Sequence, residues 1–178
     1  MIKKSIMGGL SIAIASYIYL QTGGLTGAVL FSIGLLLILN MEFKLFTGTV
    51  GFIKSKEDIK MNIVILLGNI IGACGILFFP SPAATLLVAN KLGTPLYLAF
   101  VKGIVCGIFI YSAVASFRKG KDYMVPVCVI GFILCGAEHC IANLCYLIAA
   151  QTFSLSALAF LFTVTMGNII GAIMIDRL

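Results

Sequence analysis

Runs of about 20 predominantly apolar residues, joined by short polar connections, fill nearly the whole 178-residue chain. A helix of that length crosses the hydrocarbon core of a bilayer with every backbone group paired internally, which few other structures achieve in lipid. Six runs stand out, at about 5–22, 25–52, 61–80, 96–117, 123–150 and 154–176. They leave no room between them for a soluble domain. A nucleotide-driven pump is therefore not expected, and no Gly-x-x-x-x-Gly-Lys-Ser/Thr loop occurs. Composition agrees, with 61% hydrophobic residues, 10% charged residues and a mean hydropathy of +1.17, against about 25% charged in soluble domains. The basic start followed by an apolar run (Met1-Ile2-Lys3-Lys4 onward) has the look of a signal peptide. Further spans follow at once, so it reads as the first transmembrane helix.

Charge placement orients the spans. With six spans, one side carries Lys3, Lys4, Lys54, Lys56, Lys60, Arg118, Lys119, Lys121 and Arg177. The other carries only Lys91, and Lys44 and Lys102 lie inside apolar stretches. The positive-inside rule then puts both termini in the cytoplasm of a multi-pass protein of the cell (plasma or inner) membrane. The net charge of +6 is thus topological, and no nucleic-acid partner is expected. The six cysteines all fall in apolar segments without a CxxC pair or zinc spacing, so neither a metal nor a cofactor is expected.

The hexapeptide Gly-Asn-Ile-Ile-Gly-Ala occurs twice, from Gly68 and from Gly167, 99 positions apart. Its glycine pairs suit close helix packing. Its placement in the third and sixth spans points to two related halves, and an odd number of spans per half makes them inverted. The fold expected is an all-α integral membrane protein with six transmembrane helices in an inverted three-plus-three repeat. It forms a single channel domain over 1–178, with one repeat at about 1–90 and the other at about 91–178.

The second and fifth spans are both interrupted by polar residues. One break is Glu42-Phe43-Lys44-Leu45-Phe46-Thr47-Gly48-Thr49, and the other Gly136-Ala137-Glu138-His139-Cys140-Ile141-Ala142-Asn143. Paired discontinuities mark a substrate site near the midplane, because unwound backbone at that depth must line a cavity or be buried in protein. His139, the only histidine, can exchange a proton near neutrality or hold a charge for an anion. Successive helical side chains point about 100° apart, so Glu138 is expected to face away from His139. It would brace the backbone of the opposite break or pair with Lys44 or Lys102. Thr47 carries a hydroxyl that can meet His139 or a passing substrate. Leu45, Phe46 and Phe132 are candidates for constrictions. Half-helix N-termini, His139 and Lys91 together favour a small anion over a cation.

These residues also resemble a known family. Glu138-His139-Cys140-Ile141-Ala142-Asn143 is similar to the fifth-helix motif Glu-His-Ser-Ile-Ala-Asn of the formate–nitrite transporter family. Leu45-Phe46-Thr47-Gly48 resembles its broken second helix, and the stretches around Asn69 and Asn168 resemble its third and sixth helices. The resemblance implies an aquaporin-like fold assembled as a homopentamer in the lipid bilayer, with one pore per protomer. The implied passenger is a small monovalent anion such as formate, nitrite or hydrosulfide, with or without a proton. It also implies a substrate pathway of His139, Thr47, Lys91, Glu138, Asn143 and Asn168, constricted by Phe132 and by Leu45 with Phe46.

The chain departs from the pattern at Lys44, where the family usually has an acidic residue, and at Gly107, where a fourth-helix asparagine is usual. It is also shorter than is usual there. A channel for small neutral solutes is the rival reading, though the Asn-Pro-Ala breaks of that type are absent. No Gly-x-Ser-x-Gly elbow or His-Glu-x-x-His helix points to an enzyme.

Overall fold

A computed structural model describes all 178 residues and contains helices and turns but no strand. In chain order the helices are α1 (Ile2–Thr22), α2 (Gly24–Asn40), α3 (Phe46–Thr49), α4 (Lys56–Ala73) and α5 (Pro82–Leu92). They continue as α6 (Leu96–Phe117), α7 (Met124–Leu134), α8 (Cys140–Ala149) and α9 (Leu155–Asp176). Short 3₁₀ turns extend α3 through Val50–Phe52 and α4 through Cys74–Phe78. Lys56–Phe78, α6 and α9 are long and apolar enough to cross a membrane by length and composition.

Helix ends follow local chemistry. Gly23 and Gly24 adopt positive φ and turn α1 into α2 without an intervening loop. At the start of α4, Ser55 and Asp58 form a reciprocal capping box. The Lys54 amide and the Ser55 amide and hydroxyl all donate to the Asp58 carboxyl. That box starts α4 at Lys56, earlier than the apolar run suggests. The segment after Pro80 differs from expectation more strongly. It is not a plain connection but α5, with Pro82 pre-set at its first turn.

The most extensively packed pairs are α6 with α9 and α1 with α4. Each pair meets through the repeated hexapeptide. A Cβ on Gly72 would lie 2.0 Å from the Ile6 carbonyl oxygen, and one on Gly171 would lie 2.1 Å from that of Ile104. Only glycine permits these backbone approaches. Between the two pairs run α2–α3 and α7–α8, each interrupted near its middle. The outer surface is strongly apolar, with Phe78, Tyr97, Phe153, Leu155 and Phe162 exposed. A water-soluble monomer rarely shows so continuous an apolar exterior.

Candidate functional site

The two interruptions are built alike. Helix α2 ends with the Phe43 N–H donating to the Ile38 carbonyl (2.8 Å), and α7 with the Ala137 N–H donating to the Phe132 carbonyl (2.9 Å). Each end is closed by one residue in the left-handed region, Glu42 (φ 54°) and Gly136 (φ 71°). These are Schellman-type caps, a motif that favours glycine at that position. Glu42 therefore holds a conformation that its Cβ disfavours.

The extended residues that follow are clamped by the asparagines of the repeated hexapeptide. Asn69 accepts from the Phe46 N–H (2.8 Å) and donates to the carbonyls of Lys44 (2.8 Å) and Ser5 (2.7 Å). Asn168 accepts from the Cys140 N–H (2.9 Å) and donates to the carbonyls of Glu138 (2.8 Å) and Gly103 (2.9 Å). Both amides are fully buried. Unwound backbone in an apolar interior needs such partners, since each orphaned group costs about 1–3 kcal/mol. The Lys44 and Glu138 amides also donate to carbonyls of α1 and α6, at Lys4 and Lys102. Lys44 and Glu138 are thus structural counterparts, 94 positions apart.

His139 and Thr47 meet where the two breaks approach. The Thr47 hydroxyl lies 2.8 Å from His139 Nε2. On the far side of the ring, Nδ1 accepts the Ala142 N–H (3.1 Å) and so caps α8. An Nδ1 that accepts carries no proton, which places the proton of the neutral ring on Nε2. Nε2–H then donates to Thr47, and the Thr47 hydroxyl proton has no other partner. Protonating the ring at Nδ1 would set two donors against each other and release the cap.

Two cavities lie along the two breaks, and Thr47 borders neither. The first, about 230 Å³, reaches His139 and is bordered by Phe132, Glu138, Asn143, Lys91 and Lys102. The second, about 370 Å³, is bordered by Leu45, Gly48 and Thr49 of the other break, with Lys44 and Arg118. Phe132 packs its ring edge-on to Phe31 and stacks on His139, with both centroid separations at 6.1 Å.

Glu138 differs from its expectation. It neither braces the opposite break nor pairs with Lys44 or Lys102. Its carboxylate accepts from Lys91 and from the Asn143 amide (2.9 Å). The chain has already left helical geometry at this point, so the 100° step does not apply, and Glu138 shares a cavity with His139. The bracing task falls to Asn69 and Asn168 instead. Lys91 lies in the cavity with its charge spent on Glu138. Phe46 is buried and borders neither cavity, and Asn168 serves the backbone rather than a cavity wall. Position 107 faces α9, where a Cβ would lie 2.3 Å from the Asn168 carbonyl oxygen.

Sequence reasoning passed over Asn69 and the aromatic lining from Tyr19, Phe31 and Tyr146. A polar residue repeated at one place in two apolar runs was the available signal for Asn69.

The family model described as Formate/nitrite transporter matches residues 1–177. The chain belongs to the formate/nitrite transporter family. A solved structure described as a pentameric formate channel with formate bound is 25% identical, with a TM-score of 0.81 over 97% of this chain and 91% of that one. Another, an FNT family ion channel, is 20% identical with a TM-score of 0.86 over 98% and 86%, and so bears on the fold. A search of curated proteins by sequence finds no match.

Proposed function

We propose that the chain is one protomer of a homopentameric channel for a small monovalent anion of the formate, nitrite or hydrosulfide class, with a pore through each protomer. The whole of 1–178 is then a single transmembrane domain with six spans. α1, α2–α3 and α4 form one half; α6, α7–α8 and α9 form the other, inverted relative to the first. The matched caps and clamps of the two breaks support that pairing. Both termini lie in the cytoplasm of the cell membrane, as the basic loops require.

The observation that carries the reading is the His139–Thr47 hydrogen bond, which joins a wall of one cavity to the break that walls the other. An anion arriving here loses water, and an uncompensated charge in such surroundings costs several kcal/mol. The free proton of Thr47, and Nε2–H of His139 once the anion displaces Thr47 from it, are the donors that can replace the lost hydration. Phe132 on one side and Leu45 on the other keep the passage narrow and dry. Passage with a proton requires the ring to titrate, which also costs the Ala142 cap. Coupling of flux to protons would therefore move the first turn of α8.

Stopped-flow light scattering on proteoliposomes, with formate, nitrite, hydrosulfide and glycerol, tests the class. Anion-dependent swelling above that of empty liposomes, without glycerol entry, is the expected result. Glycerol entry alone would mark a neutral-solute channel.

A further inference from the structure

We propose that the cavity at the first break holds a second anion-binding station, built on Lys44; the inference rests on the channel reading above. Lys44 and Glu138 occupy equivalent backbone positions, with the same amide donated to a neighbouring helix and the same carbonyl clamped by a hexapeptide asparagine. Their side chains carry opposite charge. Around Glu138 one pair cancels, because Lys91 and Asn143 both converge on its carboxylate, while Lys102 borders that cavity without an ion pair. Lys44 has no such carboxylate. Lys44 makes no ion pair, is half-buried, and borders the 370 Å³ cavity together with Arg118.

Glu42, the one carboxylate bordering that cavity, is bound by Lys4 at 2.9 Å. At the position equivalent to Asn143, Thr49 spends its hydroxyl on Asn62 (2.7 Å) and on the Leu45 and Phe46 carbonyls. Glu42 feels the Lys44 charge but pairs with Lys4, so no side chain closes on the Lys44 amine, and the ligand that completes it is a small anion waiting beside Leu45. A half-buried ammonium next to an apolar wall attracts an anion more strongly than one in open water, because screening is weaker there.

Formate flux across planar bilayers, with formate varied on one face at a time, reads this directly. Lys44→Gln should raise the half-saturating concentration on the Lys44 face by about fivefold, the equivalent of about 1 kcal/mol, and leave the other face within experimental error. Lys44→Arg should restore it. The backbone bonds at position 44 involve only main-chain atoms of that residue, so both variants keep the clamp. Unchanged half-saturation on the Lys44 face, or an equal change on both faces, overturns the proposal. A flux-independent readout separates this failure from that of the channel reading. Bromide should stabilise the detergent-solubilised wild-type protein at lower concentration than Lys44→Gln. Equal bromide titrations overturn the station, whereas absence of formate flux through the wild type overturns the channel.

Discussion

The break after α2 and the break after α7 share a backbone and differ in what that backbone displays. Both leave their helix through a left-handed residue, both run extended for a few residues, and both are clamped by one buried asparagine. One displays Glu138 and His139 with a neutralised lysine, and the other Lys44, Leu45 and Thr47 with an unpaired one. Matching backbones therefore do not give matching cavities. The shared part satisfies the backbone, and the divergent part sets the charge around each cavity.

The largest expected effect strikes the shared part. Asn69→Leu orphans the Phe46 N–H and Lys44 carbonyl, and Asn168→Leu the Cys140 N–H and Glu138 carbonyl, at about 1–3 kcal/mol per group in a near-isosteric site. Thermal unfolding of the detergent-solubilised protein should show a severe loss in both variants, of similar size. A loss in one variant only would break the equivalence of the two halves.

Gly107→Asn comes next. It reinstates the amide usual in the family, yet its Cβ would enter the α9 backbone, so it should destabilise by about 1–3 kcal/mol or more. Stability at wild-type level with altered anion preference would mean that position 107 faces the passage.

Glu138→Gln probes the divergence. It frees the Lys91 amine while the new amide still faces Asn143. We expect a loss of about 2 kcal/mol, below that of a fully buried pair because the cavity admits water. Half-saturation on the Lys91 face should also fall. If one-sided flux titrations show no such fall, the lysine on that side does not collect anions.

The smallest effect is expected from Glu42→Gly. It relieves the positive φ at the α2 cap and removes only a screened surface pair with Lys4. A slight rise in melting temperature is expected, and a large fall would assign the Lys4–Glu42 pair a structural weight that its exposure argues against.

Much of this was legible in the sequence because membrane insertion and duplication leave periodic marks. Apolar runs, the twin hexapeptide and the polar interruptions each reflect a physical requirement that recurs in both halves. Glu138 was misread because its partner Lys91 lies 47 positions away, beyond any local pattern. The cap at Glu42 was hidden because its counterpart Gly136 carries the expected glycine and Glu42 does not. Helix α5 went unread since its 11 residues are too few to span and too mixed to mark a face. The clamp asparagines were visible as a repeat, but their task depends on strands of backbone that only the folded chain brings alongside them.

The central claim is that the two breaks meet as one anion site at His139 and Thr47, and formate flux into proteoliposomes as a function of pH tests it most directly. The wild type should carry formate, and His139→Asn should reduce that flux by about tenfold or more, the loss of one donor worth about 1.4 kcal/mol, and flatten its pH dependence. Undiminished flux through His139→Asn with an unchanged pH profile would contradict the account.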